Sequence, residues 1–187
     1  MVPPSEIAAW RQKMRLTTDG QVVALAPGAV GPSKRWPSAN YTELAKHLGR
    51  ERIAVWVIGG PNETALAAEI AAAGDHVRDL TGNDLRNAVL AIAAADAAVS
   101  NDSGLLHVAA AIGTPAIGIF GPTSPWHWAP LNPLAAVIET ESDLPCRPCH
   151  KPTCRLHHHR CMQDITAGRV AAALDQALAS AQPAVGR

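Results

Sequence analysis

Short apolar runs, each followed by Gly, Pro or small polar residues and then by a helical pattern, set the strongest limit on what this chain can fold into. The runs are "VVALAP" (22–27), "IAVWVIG" (53–59), "HVRDL" (76–80), "AAVS" (97–100), "AIGIFG" (116–121) and "AAVIET" (135–140). "IAVWVIG" is apolar throughout, as a strand covered on both faces requires. Helical patterns stand between the runs. "SEIAAWRQKM" (5–14) has Ser5 as its candidate cap, and "TTDG" (17–20) ends it. "SANYTELAKHL" (38–48) has Ser38 as its candidate cap and places Tyr41, Leu44, Ala45 and Leu48 on one buried face. "ETALAAEIAAA" (63–73), "NDLRNAVLAIAAA" (83–95), "GLLHVAAAIG" (104–113) and "DITAGRVAAALDQALASA" (164–181) complete the set. Strand and helix therefore alternate, which predicts an α/β domain: a Rossmann-like parallel sheet with helices on both faces. The order of strands does not follow from the pattern.

A chain of 187 residues holds one such core and a small appendage. Lys and Arg number 16 and Asp and Glu also 16, with no basic cluster interleaved with aromatics, so nucleic acid is not an expected partner. The sequence has no apolar stretch of transmembrane length and no charged leader with a cleavage site, and the expected location is cytoplasmic.

Ligands of open parallel sheets sit outside the carboxyl ends of the strands, so the loops leaving the strands carry the functional weight. They are "PGAVGPSKRWP" (27–37), "GGPNE" (59–63), "TGND" (81–84), "SNDSG" (100–104) and "GPTSPWHW" (121–128). A helix opening at Ser103 or Gly104 has free backbone N–H groups at its positive end, and Gly104 admits an anion closely, so this stretch reads as a phosphate cradle. Ser103 adds a hydroxyl, and His107 lies four residues on, on the same helical face. Asp102 or Ser103 acting only as a helix cap, and His107 as a core residue, are the plainer alternatives. Lys34 and Arg35 leave another strand of the same sheet, either as a solvated pair or as a pyrophosphate clamp. Known phosphate loops do not match: "PGAVGPSK" is not G-x-x-x-x-G-K-[ST], no G-x-G-x-x-G opens the first helix, and no acidic residue ends "VWVIGG".

"LAPGAVGPSKRWP", "VIGGPNE", "LTG", "ADAAVSNDSGLLHVAAAIGTPAIGIFGPTSP" and "CMQDIT", in this order, resemble the ADP-heptose:lipopolysaccharide heptosyltransferases of glycosyltransferase family 9, most of all their heptosyltransferase II branch. The resemblance covers residues 22 to about 175. It implies the C-terminal, donor-binding half of a GT-B enzyme, with residues 1–20 as the helix joining it to an N-terminal acceptor half and residues 21–187 as the donor domain. It further implies ADP-heptose as donor, the lipopolysaccharide inner core as acceptor reached through the other half, inverting transfer and no required metal. By the same resemblance Lys34 meets the donor phosphates and stabilises the leaving group. Asp102, Ser103, Gly104 and His107 surround the diphosphate and heptose, Glu63 or Asn62 holds the ribose, and Asn83 meets the adenine. For Glu63 a local role at its helix start fits equally. The catalytic base belongs to the acceptor half, so this chain holds no catalytic residue of its own. Asp96, just before a strand, reads as a turn residue. A location at the inner face of the inner membrane follows from the acceptor. Because Lys34 lies in an exit loop, Lys34→Ala is expected to weaken donor binding with little loss of stability.

One segment falls outside that scheme. "PCRPCHKPTCRLHHHRC" (145–161) places Cys146, Cys149, Cys154 and Cys161 in one loop with His150, His157, His158 and His159 interleaved. Four such ligands suit a structural zinc, and reduced thiols in an ordered loop fit as well. Trp126 and Trp128 are expected at the domain surface. Beside the transferase reading stand a nucleotide-binding module without transfer activity and an interaction domain organised by a metal at the cysteines.

Overall fold

The computed structural model describes residues 2–16 and 20–180. Six strands form one sheet: β1 (Val22–Ala26), β2 (Ala54–Val57), β3 (Val77–Asp79), β4 (Ala97–Asn101), β5 (Ala116–Phe120) and β6 (Ala135–Glu139). Every pairing is parallel and the order is β3-β2-β1-β4-β5-β6. Val23 of β1 is opposite Val55 of β2 on one side and Ala97 of β4 on the other. The chain thus winds outward in one direction from β1 to β3, then returns past β1 and winds the other way. The boundary between β1 and β4 is the switch point of the sheet.

The eight helices of the described residues are α1 (Pro4–Lys13), α2 (Ser38–Arg50), α3 (Thr64–Ala71), α4 (Leu85–Ala94), α5 (Gly104–Ile112), α6 (Pro125–Trp128), α7 (Arg160–Gln163) and α8 (Ala167–Ser180). Alternation along β1 sends Val23 and Leu25 to one face, where Tyr41, Leu44 and Leu48 of α2, Ile70 of α3 and Leu174 of α8 cover them. Val22, Ala24 and Ala26 point to the other face, among Trp10 of α1, Leu90 of α4 and Leu106 of α5. Trp10 meets Trp56 of β2 edge-on at 5.7 Å and its Nε1 donates to Asn87 Oδ1 at 2.9 Å, so α1 is docked on the sheet. No helix among the described residues is long and apolar enough to cross a membrane.

The expected caps differ. Neither Ser5 nor Ser38 is the residue before its helix: Pro3 and Pro37 hold those positions in extended backbone, and no side chain caps either end. Proline's fixed φ and missing N–H suit a helix start, and they displace the hydroxyl residues into the first turn. Asp84 is the side-chain cap that does form, accepting from Asn87 N–H at 2.9 Å at the start of α4. Part of the "TTDG" stop, at 17–19, and residue 181 of the last helical pattern lie outside the described residues. The "PWHW" stretch, expected as part of the loop at 121–128, forms the short α6.

Candidate functional site

The exits of β1, β4 and β5 meet at the switch point, and the segment of the cysteines folds over them. Together they enclose an open cleft of about 460 Å³. Lys34, Asp102, Ser103, Gly104 and His107, all expected around one anion, line it together.

Lys34 closes a one-turn 3-10 helix (Pro32–Lys34) after β1. Its Nζ stands 2.7 Å from Asp102 Oδ2. Asp102 is 5% exposed and Lys34 only a third exposed, so the pair is largely withdrawn from water and screens poorly. Asp102 therefore aims the lysine and also offsets its charge.

Ser103 precedes α5 in extended backbone, and its side chain makes no capping bond. Its Oγ instead lies 3.0 Å from Ser100 Oγ. With Asp102 bonded to Lys34, neither residue uses its side chain to cap α5, so this nine-residue helix starts at the cleft wall, at Ser103 and Gly104, without a side-chain cap. Gly104 leaves that approach open: a Cβ placed on it would have nothing within 4 Å. His107 is exposed on the first turns of α5, which removes the core-histidine alternative.

Asn101 has a different task from its neighbours. It is fully buried, and Nδ2 donates to Pro27 O at 2.7 Å and to Gly28 O at 3.3 Å. Its Oδ1 accepts from Trp36 N–H at 3.0 Å and from Tyr41 OH at 3.2 Å. The amide thus stitches the β1 exit to the end of β4. Burial pushes the Tyr41 phenol far above its ordinary range, the Asn101 bond opposing only in part.

Other expected residues stand apart from the cleft. Arg35 turns away, its Nε donating to Ala29 O at 3.0 Å. Glu63 does not line the cleft. Its Oε2 accepts from Gly60 N–H at 2.9 Å, the local role allowed for it, while its side chain lies over the β1 exit, 2.8 Å from where a Gly28 Cβ would be. Asn83 is exposed beyond β3, with Nδ2 donating to Leu80 O at 3.0 Å. Asp96 Oδ2 accepts from Val22 N–H at 2.8 Å, the structural role expected of it.

The sequence pattern did not bring the cysteine loop to the cleft, yet His150, Lys151 and Pro152 line it, and within the β5 exit it did not single out Thr123. Their sequence distance from the β1 exit hides the contact. Ser33 N–H donates to Pro152 O at 3.1 Å and Ser33 Oγ to Lys151 O at 2.5 Å, while His159 Nε2 donates to Ser33 O at 2.6 Å.

Cys146, Cys149, Cys154 and Cys161 are free thiols. Burial raises the Cys161 thiol to about 11, whereas the His159 N–H holds Cys154 below its usual value. Among the described residues no three His, Cys, Asp or Glu side chains are grouped so as to hold a metal ion, and the four thiols as placed do not form a zinc site. Trp126 and Trp128 are exposed, as expected, and Trp128 also borders the cleft.

A doubly wound parallel sheet with an uncapped helix N-terminus and a cation at its switch point is a Rossmann-like domain of the type that holds its ligand at the carboxyl edge. The sequence pattern of glycosyltransferase family 9 (heptosyltransferase) matches residues 4–159, and the chain belongs to that family. Lipopolysaccharide heptosyltransferase 2 of Salmonella typhimurium is 38% identical over 162 residues, which are 83% of this chain and 46% of that protein. Lipooligosaccharide heptosyltransferase 2 of Haemophilus ducreyi is 35% identical over 181 residues, 92% of this chain and 52% of that one. The structure of Escherichia coli ADP-heptose lps heptosyltransferase II superposes with a TM-score of 0.85 at 34% identity, over 98% of this chain and 54% of the other. The chain spans about half the length of the relatives it matches, and its fold is that of one half of a GT-B glycosyltransferase.

Proposed function

We propose that this chain is the C-terminal, donor-binding half of a heptosyltransferase that moves heptose from ADP-heptose to the lipopolysaccharide inner core. The observation that carries this is the meeting of Lys34, Asp102 and the start of α5 at the switch point of the sheet, in a chain that belongs to a family of heptosyltransferases. Both the Salmonella and Haemophilus relatives are named as heptosyltransferases, and the Escherichia coli structure is named for ADP-heptose.

In this reading the diphosphate lies against the first N–H groups of α5, at Ser103 and Gly104, with Lys34 beside it and His107 towards the sugar. Glu63 takes the ribose and Asn83 the adenine, reached across the β1 exit. When the bond from the anomeric carbon to the diphosphate breaks, its electron pair goes to the phosphate oxygen and ADP gains negative charge. Lys34 and the helix dipole favour that charge in place, without reorganisation during the step. The acceptor hydroxyl attacks from the opposite side, inverting the centre, and gives its proton to a carboxylate on the acceptor half. In this reading α1 (Pro4–Lys13), docked on the sheet through Trp10, belongs to the connection between the two halves. Turnover accordingly requires the acceptor half, and the complete enzyme works in the cytoplasm at the inner face of the inner membrane, where its acceptor is anchored.

Calorimetric titration with ADP, ADP-heptose, a UDP-sugar and NAD tests the reading. ADP and ADP-heptose binding, with the other two weaker, is the expected result; no preference for the adenine diphosphates overturns it. Transfer assayed after adding the acceptor half then separates a transferase half from a binding module.

A further inference from the structure

The donor reading leaves a shortage of charge in the cleft. A nucleotide-sugar brings two ionised phosphates. Lys34 is offset by Asp102 at 2.7 Å, and the start of α5 contributes only about half an elementary charge. The opposite wall holds a further cation. Lys151 is exposed, lines the cleft, and has no carboxylate at ion-pair distance among the described residues. No Asp or Glu occurs between Asp143 and Asp164, so nothing on its own loop competes for it. Its backbone is held at the cleft wall, because Ser33, the neighbour of Lys34, is bonded to the carbonyls of Lys151 and Pro152 and to His159.

A second observation lies on the same side. Thr123 is 4% exposed and borders the cleft, yet its Oγ1 has no hydrogen-bond partner. A buried hydroxyl left idle is costly, and such groups are nearly always satisfied in a folded protein. The phosphate and sugar oxygens of a donor are the acceptors that this cleft is built to receive.

Resting on the donor reading above, we propose that the cysteine loop and the β5 exit form the second wall of the site. Lys151 supplies the cation for the charge that the Asp102-bound Lys34 leaves unmatched, and Thr123 donates its free hydroxyl to the same ligand. The cysteine loop then acts as a binding element, held over Ser33 by the backbone of Lys151 and Pro152 and by the His159 ring.

Titration of ADP and ADP-heptose into this chain and four variants tests the proposal. Lys151→Ala should weaken both ligands about tenfold and flatten the salt dependence of binding, Lys151→Arg should recover most of the loss, and Arg155→Ala, exposed on the same loop, should change nothing. Thr123→Val should weaken binding about fivefold while its unfolding midpoint stays level or rises, since no native bond is lost. Parent-like binding by Lys151→Ala overturns the role of the loop. A Thr123→Val variant that loses stability but binds normally overturns the role of the hydroxyl. If the unmodified chain binds neither ligand, the donor reading fails first and this one with it.

Discussion

Lys34 Nζ and Asp102 Oδ2 stand 2.7 Å apart across the switch point of the sheet, one from the loop after β1 and one from the end of β4. This pair changes the expectation for Lys34. The exit-loop position suggested that its loss would cost little stability, but Asp102 is 5% exposed and would be left as a buried carboxylate without its cation. We expect Lys34→Ala to cost about 1–2 kcal/mol, a figure reduced for the partial exposure of the lysine, together with a loss of donor affinity. In the Asp102→Asn background the same change should cost much less stability. A double-mutant cycle by urea denaturation measures the difference, and equal costs in both backgrounds would show that the pair is uncoupled.

Asn101 carries a different expectation. It sits within the polar run that suggests a ligand site, yet its amide is consumed by Pro27, Gly28, Trp36 and Tyr41. Asn101→Ala should destabilise the chain by about 2–3 kcal/mol, since it orphans several buried partners at once, and should be among the most damaging single changes near the cleft. Chemical denaturation monitored by far-UV dichroism reads this; a variant as stable as the parent would remove Asn101 from the scaffold.

How much of this was legible follows from the range of each interaction. The strand runs and the face of α2 show in the sequence because a period of two or of 3.6 is a local property. The polar run at 100–104 marks the cleft for the same reason: polarity at the end of a buried strand is visible without the fold. Asn101 and Asp102 look alike there, and only the partners, 60 and 68 residues away, separate a scaffold amide from a site carboxylate. Strand order is equally hidden, since β1 neighbours β4 through a long return of the chain. Lys151 was hidden because its loop reaches the cleft only when the cysteine segment folds back on Ser33, and Thr123, though in a strand-exit loop, carries no mark in the sequence that separates it from its neighbours. The Ser5 and Ser38 caps failed for a local reason, the preceding prolines.

Acid should weaken the fold through two carboxylates held below their ordinary range. Asp164 is lowered first by the Ser142 hydroxyl at 2.6 Å and then by Arg160, joining the segment after β6 to the end of α7. Asp84 is lowered first by the Asn87 N–H at the start of α4. A carboxyl whose folded pKa is depressed contributes stability that is complete above the unfolded value, near 3.8, and is lost as pH falls through the folded value. Thermal midpoints should therefore fall between about pH 5 and pH 2. Asp164→Asn and Asp84→Asn should each flatten that fall while lowering the midpoint at pH 7. A variant whose acid profile parallels the parent's would exclude its carboxyl from the effect.

The two ends of α5 carry glycines whose removal should separate stability from binding. Gly113 ends the helix at φ +84°, a left-handed conformation that a side chain resists, although a Cβ there would touch nothing within 4 Å. Gly113→Ala should cost about 1–2 kcal/mol through backbone strain alone and leave donor affinity unchanged. Gly104 opens the helix with no positive φ and with open space where its Cβ would be, so the fold has no need of glycine there. Gly104→Ala should keep or slightly raise stability, by up to about 1 kcal/mol, because alanine is the better helix former. Its methyl would stand where an anion approaches the first N–H groups of α5, and ADP affinity should fall about tenfold. Melting curves and calorimetric titration of the two variants give four numbers, and affinity lost at Gly113 but kept at Gly104 would place the ligand elsewhere than at the start of this helix.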